Sequence, residues 1–382
     1  MTTNAYLDHN ATTRIDDAVL DAMMPFMREA YGNASSRHDL GTRAREAVEA
    51  AREKVAALAG VQAQQVVFTS GGTEANNMFV KGMAAYLKPA RVVVSAIEHP
   101  CVMRPAASLV RQGWDLRKLG VDANGVLDLS DLDAVLDEST AMVSVMLANN
   151  ETGVIQPVAR VAERARSVNA WMHTDAVQCA GKLALDFDQL GVHAMTLSAH
   201  KMYGPKGVGA LVVDKRLPVK PLIDGGGHEH GLRSGTENVP AIVGFGAASE
   251  LAAKRVQSLA EHTSGLRDQI ERGLAQFGAT IFGAAADRLP NTSYFAFEHI
   301  DGESLVIELN KAGFAVASGS ACSSTSTEPS ATLLAMSVEP ELARGAVRLS
   351  LGWDNTEQQA QEFLTAISQT VDRLRRLTAV AV

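Results

Sequence analysis

The sequence predicts an α/β protein, with a large domain built on a mainly parallel mixed sheet covered by helices and a smaller α+β domain. Three observations predict it. Between about residues 40 and 250, short β-branched runs alternate with helical patterns, as a parallel sheet with crossover helices requires. Near residue 255 the pattern changes to a long helix followed by strands and helices in a different order. The chain has 382 residues, of which 46% are hydrophobic and 20% charged, enough to bury more than one core. We place the large domain at 12–255 and the small one at 1–11 together with 256–382.

The first periodic segment is 41–59, where Ala44, Ala47, Val48, Ala51, Val55 and Leu58 recur at three- and four-residue steps. This spacing predicts an amphipathic helix, and Gly60 supplies its stop. Strands are expected at Val66–Thr69, Arg91–Ser95, Met142–Leu147, Trp171–Thr174, Met195–Ser198 and Gly209–Val213, mostly as the continuous apolar runs of doubly covered strands. The second part predicts a helix from about 255 to Phe277, a strand at Thr292–Phe297 and a helix at Glu303–Lys311. Strands at Phe314–Ser318 and Ala346–Leu351 and a long helix at Thr356–Leu377 complete it.

The formal net charge of −8 comes without a basic block, which disfavours nucleic acid as a ligand. Met1 to Asn10 carries no charged-then-apolar leader pattern, and no apolar run approaches the roughly 20 residues of a membrane span. A cytoplasmic location and no membrane association are the expectation. Cys101, Cys179 and Cys322 are far apart and form no CxxC pair, so neither a disulfide framework nor a metal site is expected.

Ligands in open α/β sheets gather beyond the carboxyl ends of strands, and several predicted strands end in polar segments. Phe68-Thr-Ser-Gly-Gly-Thr73-Glu reads as a strand end, a glycine turn and a helix start. Its backbone N–H groups and the Thr73 hydroxyl suit a phosphate, although a well-capped structural turn has the same residues. Ser198-Ala-His200-Lys201 follows another strand and places a lysine where desolvation makes its amine nucleophilic, whereas a lone lysine is ordinarily a solvated surface residue. His173-Thr-Asp175-Ala-Val-Gln178 delivers a carboxylate at a third strand end. A lysine, an acidic partner for a ring nitrogen and a phosphate cradle are together what pyridoxal 5'-phosphate requires.

Cys322 lies in Ser318-Gly-Ser-Ala-Cys-Ser-Ser-Thr-Ser-Thr-Glu-Pro, a run that reads as an exposed, mobile loop. Cys179 and Cys101 read instead as small buried hydrophobic residues.

Along nearly its whole length the chain resembles the NifS/IscS-type cysteine desulfurases of the class V aminotransferase superfamily. The resemblance rests on Tyr6-Leu-Asp8-His-Asn10-Ala-Thr-Thr13, Gly32-Asn33, the Gly72-Thr73 turn, Glu98-His99-Pro100, Ala148-Asn-Asn150-Glu-Thr-Gly153 and the Asp175 and Lys201 segments. It continues through Gly225-Gly-Gly-His-Glu, Arg233-Ser-Gly-Thr236-Glu-Asn238, Gly319-Ser-Ala-Cys322 and Arg348-Leu-Ser-Leu-Gly352, all in order.

The resemblance implies fold type I of the pyridoxal-phosphate transferases. It implies that Lys201 holds the cofactor covalently and later moves the substrate Cα proton, and that Asp175 pairs with the ring nitrogen. Gln178 and Asn150 would orient the ring, and His99 would stack on it and act as an acid or base. Gly72, Thr73, Ser198 and His200 would hold the phosphate, with Thr236 added from the second subunit of a homodimer. Arg348, with Asn33 and Asn150, would bind the carboxylate of L-cysteine. Cys322 would receive the sulfur as a persulfide and pass it to an acceptor such as an iron–sulfur scaffold protein.

Outside this pattern, a histidine such as His99 is more often a hydrogen-bonded structural residue, and an arginine such as Arg348 more often an anchor for a surface carboxylate. Ala34, Ala199 and Ser323 stand where Pro, Gly and Thr are common in the resembled enzymes, and the chain ends without their Ser-Pro-aromatic tail. Selenocysteine cleavage, amino-group transfer and a non-catalytic cofactor-binding scaffold are the competing readings. Lys201, Asp175, His99, Arg348 and Cys322 together disfavour the last.

Overall fold

The computed structural model describes residues 5–319 and 328–380, with side chains as far as residue 376. Seven strands form the larger sheet, in the order Val66–Thr69, Gly209–Val213, Ala194–Ser198, Trp171–Asp175, Thr140–Ser144, Arg91–Ser95 and Asp115–Leu119. Gly209–Val213 runs antiparallel to both its neighbours, and every other pair is parallel. Six strands therefore point their carboxyl ends at one edge of the sheet.

Side chains alternate between the two faces, as the pleat dictates. Phe68, Val93, Val143, Met195 and Val212 face one core, which the helices Asp39–Ala59 and Val158–Ser167 cover. Val67, Val92, Met142 and Leu211 face the other, under the helices Gly72–Ala84 and Pro100–Leu109. The predicted strands at Val66–Thr69, Arg91–Ser95 and Gly209–Val213 appear with those limits. The one expected at Met142–Leu147 ends at Ser144, because Met146 and Leu147 already belong to the loop that enters the site.

Asp115–Leu119 had no counterpart in the sequence reading. It is an edge strand with exposed Arg117 and Lys118, so it lacks the apolar run of its neighbours. Gly60 closes the helix Asp39–Ala59 with φ 72°, the left-handed conformation expected of a glycine stop.

The smaller sheet is antiparallel, in the order Ala317–Ser318, Val347–Ser350, Thr292–Phe297 and Ala279–Ile281. Its core collects Phe295, Phe297, Leu305, Leu309, Phe363 and Ile367. The single strand expected at Phe314–Ser318 divides in two. Phe314–Ala315 pairs with Ala5–Tyr6, and Ala317–Ser318 joins the four-stranded sheet.

The helix expected to begin near 255 is the second half of one 38-residue helix, Val239–Gln276. Its first half gives Ile242, Phe245 and Ala248 to the large core, and its second half gives Leu266, Ile270 and Leu274 to the small one. The change of apolar pattern at 255 marks a change of partner core, with no break in the helix.

The N-terminal segment ties the two cores together. The Leu7 amide donates to Ala315, the Asn10 amide donates to Ser350 Oγ and the Thr13 amide donates to His200 O. Among the described residues, no helix is long and apolar enough to cross a membrane.

Candidate active site

At the carboxyl edge of the large sheet, the segments after five strands close on a cavity of about 240 Å³. Gly72, Thr73, His99, Asn150, Asp175, Gln178, Ser198, His200 and Lys201 line it, as do Asn76, Cys101, Met146, Ala148 and Val177.

One end of the cavity is built for an anion. The helix Gly72–Ala84 starts here, and its first-turn N–H groups have no acceptor within the helix. A Cβ on Gly72 would meet Val177 Cγ2 at 2.9 Å, so glycine lets this backbone close on the strand ends beside it. Ser198 is 1% exposed and its hydroxyl has no partner among the described residues, although a buried hydroxyl ordinarily has one. An anion accepting from Ser198 and the helix N-terminus satisfies that orphan.

In the same lining, Asp175 is held by two hydrogen bonds. Asn76 Nδ2 donates to its Oδ2 at 2.7 Å and the Val177 amide to its Oδ1 at 2.9 Å. His99 caps the helix Pro100–Leu109, its Nδ1 accepting from the Cys101 amide at 3.2 Å. An acceptor Nδ1 leaves the ring proton of the neutral imidazole on Nε2. Burial, with Lys201 and Arg104 nearby, pushes the pKa of His99 down and so favours that neutral ring. His200 is pushed down to about 4 by burial and by Lys201 and Lys206.

Lys201 donates from Nζ to the carbonyls of Asn10 at 2.5 Å and Ala11 at 2.8 Å. Two residues on, Tyr203 has φ 64°, a strained conformation for a bulky side chain. Its amide donates to Thr13 Oγ1, whose own hydroxyl donates to His200 O. The N-terminal segment thus fixes the turn that carries the lysine.

Three anticipated residues lie outside the cavity lining. Arg348 is buried in the strand Val347–Ser350 and donates to Asp8 Oδ1 at 2.7 Å and Asn150 O at 3.0 Å. Asn33 is exposed, and its Oδ1 accepts from the Ser35 amide. Thr236 is also exposed, three residues after Arg233, whose Nε donates to Glu74 at 2.9 Å. Cys322 and Ser323 lie outside the described residues, as does the chain terminus after 380.

The structure adds groups that sequence reasoning passed over. Asn76 holds Asp175, and Lys182 lies buried behind Gln178. Glu98 is buried one residue before His99 and is pushed up to about 8, chiefly by burial. Their sequence signals are the motif neighbours themselves, Asn76 three residues after Thr73 and Lys182 four after Gln178.

Cys101 was read as a core residue. It is partly exposed in the cavity wall, with Sγ 2.8 Å from His99 Nδ1 and 3.0 Å from Asn76 Nδ2. Gly225-Gly-Gly-His-Glu has an anchoring place instead. Glu229 pairs with Arg52 at 2.6 and 2.8 Å and accepts from the Phe68 amide at 2.7 Å, holding the strand that leads to the Gly72 turn.

The residues present fit pyridoxal phosphate. An anion cradle, a fixed carboxylate and a lysine line one cavity, and the cradle holds an unsatisfied buried hydroxyl.

Comparison with known proteins identifies the family. Residues 5–363 match the family described as aminotransferase class-V. The chain is 41% identical to a cysteine desulfurase IscS of Dictyoglomus turgidum, over 99% of this chain and 97% of that one. It is 44% identical to a cysteine desulfurase IscS of Anaeromyxobacter sp., over 98% and 94%. Among solved structures, a NifS-like protein superposes with a TM-score of 0.91 at 39% identity, covering 97% of this chain and all of the other. SspA in complex with cysteine gives 0.81 at 31%, over 91% and 98%. The chain therefore belongs to the aminotransferase class-V family and, within it, to the cysteine desulfurases of the NifS/IscS type.

Proposed function

We propose that this protein converts L-cysteine to L-alanine with pyridoxal phosphate as cofactor. The sulfur passes to Cys322 as a persulfide and then to an acceptor protein, such as an iron–sulfur scaffold. The observation that carries the reading is the cavity in which Lys201, Asp175 and the unpartnered Ser198 hydroxyl converge. SspA, a solved relative at 31% identity, was captured with cysteine, which supports the substrate.

The cofactor, when bound, supplies an electron sink for the substrate carbon. Asp175 would hold the ring nitrogen, and Gly72, Thr73, Ser198 and His200 the phosphate. Gln178 and Asn150 would orient the ring, with His99 stacked on it. Lys201 would take the substrate Cα proton, and Arg348 would receive the carboxylate, with Asn33 beside it. The Cys322 thiolate then attacks the substrate Sγ. A sulfur–sulfur bond forms and the carbon–sulfur bond breaks, with its electron pair left on the substrate β-carbon. A proton at that carbon completes alanine, so a thiol and cysteine give a persulfide and alanine without an external oxidant.

Thr236, exposed and away from the cavity of its own chain, would reach the phosphate of a second copy, which makes the working unit a homodimer. Residues 12–255 would form the cofactor-binding unit, and 1–11 with 256–382 the unit that brings Cys322. A cytoplasmic location suits a thiol-dependent carrier.

The test supplies purified protein with pyridoxal phosphate and L-cysteine and measures alanine, sulfide and protein persulfide. Cys322→Ala is expected to keep the absorbance of the lysine-linked cofactor and to lose the persulfide. Undiminished sulfur transfer in that variant refutes the assignment.

A further inference from the structure

Behind the cavity lies a second lysine to which the proposed chemistry gives no part. Lys182 is 5% exposed, and among the described residues it makes no ion pair. Its Nζ donates to two neutral side chains, Gln178 Oε1 and Asn10 Oδ1, both at 2.9 Å. Asn10 is the junction of the arrangement, because its backbone carbonyl accepts Lys201 Nζ at 2.5 Å and Gln178 Nε2 at 3.0 Å. Asn10 is itself fixed, its Nδ2 donating to Thr292 Oγ1 at 2.9 Å.

Burying an ammonium without a carboxylate costs several kcal/mol, so a lysine kept only for packing is a poor choice for this position. What the position supplies is a charge one residue away from the reactive amine. It also fixes the amide of Gln178, whose Oε1 accepts from Lys182 while Nε2 donates to the Asn10 carbonyl, so the second Nε2 hydrogen remains as a donor.

We propose that Lys182 is a positioning residue for Lys201 and Gln178: its ammonium orients the Gln178 carboxamide and, shared through Asn10, repels a proton from the Lys201 nitrogen. The inference deepens the cysteine desulfurase reading and rests on it for the cofactor. The repulsion acts in both directions, since burial first and Lys201 second push the pKa of Lys182 down to about 7, so its charge bears on Lys201 at and below neutral pH. Other charged groups face the pair. Cys179 and Arg348 act on Lys182, His99 and His200 stand beside Lys201, and Asp175 lies across from His99. His9, with Asp354 beyond it, approaches Lys182 from the N-terminal segment.

Two readouts test the proposal. In the first, the cofactor-loaded protein is titrated by absorbance in Lys182→Met, Lys182→Gln and Lys182→Arg. The chromophore pKa is expected to rise by about one unit in the two neutral variants and by less in the arginine variant, which keeps the charge. Neutral variants that fold and titrate like the wild type overturn the proposal. So does an arginine variant that folds and shifts as far as they do.

The second readout needs no variant. In cofactor-free wild-type protein, the lysines are reductively dimethylated with ¹³C-formaldehyde and a borohydride, and the Lys201 methyl resonance is followed by NMR against pH. A methyl resonance titrating well below the ordinary lysine range is expected, and one titrating within it overturns the proposal even if no neutral variant folds. A wild-type protein that forms no lysine-linked chromophore defeats the cofactor reading instead, and a Lys201 resonance titrating in the ordinary range would still overturn the action of Lys182 on it.

Discussion

Arg348 places one guanidinium N–H on the Asp8 carboxylate at 2.7 Å and another on the Asn150 carbonyl at 3.0 Å, while its Nε has no partner. Arg348 sits on the small sheet and Asn150 follows a strand of the large one, so it is the Asn150 contact that joins the two cores beside the site. On the proposed reading, a substrate carboxylate bound by Arg348 shares this guanidinium with Asp8 or displaces it. Arg348→Lys keeps the charge and loses the two-pronged geometry. Its KM for L-cysteine is expected to rise about tenfold or more, with a smaller loss in kcat and an unchanged cofactor spectrum. A steady-state and spectral comparison checks this.

The sequence was most informative where residues stand at the ends of buried strands. Asp175 and Ser198 close strands whose apolar runs are long enough to see, and Lys201 follows the second by three residues. Asn76 and Lys182 were not legible, because their roles depend on which helix face or turn meets another segment. Nothing local to Asn76 says that Asp175, 99 residues away, is its partner. Asn33 and Thr236 show the converse, since their motifs were plain while a single chain leaves both exposed and outside the cavity.

Cys101 lies in the cavity wall yet is a poor sulfur acceptor. Burial, with Asp175 nearby, pushes its thiol up to about 12, and burial raises Cys179 further still. The thiolate is the nucleophile, so both remain protonated and inert at neutral pH. In the folded protein at pH 8, alkylation followed by mass spectrometry is expected to label neither residue appreciably. Cys101→Ala is expected to retain persulfide formation on Cys322 within about twofold of wild type. Cysteine-dependent persulfide on Cys101 contradicts this.

Ser198 offers a test of the anion cradle that separates binding from folding. Among the described residues its buried hydroxyl has no partner, so Ser198→Ala removes an unsatisfied group and the cofactor-free protein should lose no stability. The loaded protein loses a donor to the phosphate. Cofactor affinity is expected to fall by about ten- to hundredfold, the equivalent of one hydrogen bond to a charged group. Equilibrium binding followed by absorbance, beside melting of the cofactor-free protein, reads both effects. Equal affinity in variant and wild type would place the phosphate elsewhere.

Glu98 connects the site to pH. Its Oε1 accepts from Ser95 Oγ at 2.7 Å and from the Met146 amide at 2.6 Å, and its Oε2 is buried without a partner. Burial raises it from 4.5 to about 8, and the nearby Asp175 adds to the rise against those two hydrogen bonds. An acid raised on folding contributes its full stability below the unfolded value of 4.5 and loses it as pH climbs through 8, because the unfolded chain ionises first. Glu98→Gln keeps the acceptor at that position and removes the ionisation. At pH 5 the variant and the wild type should melt alike. By pH 8–9 the variant should melt higher by about 2 °C or more, since only the wild type then holds a buried charge. Melting curves at both pH values read the sign directly, and a variant destabilised equally at both would show that Glu98 is ionised in the folded protein throughout.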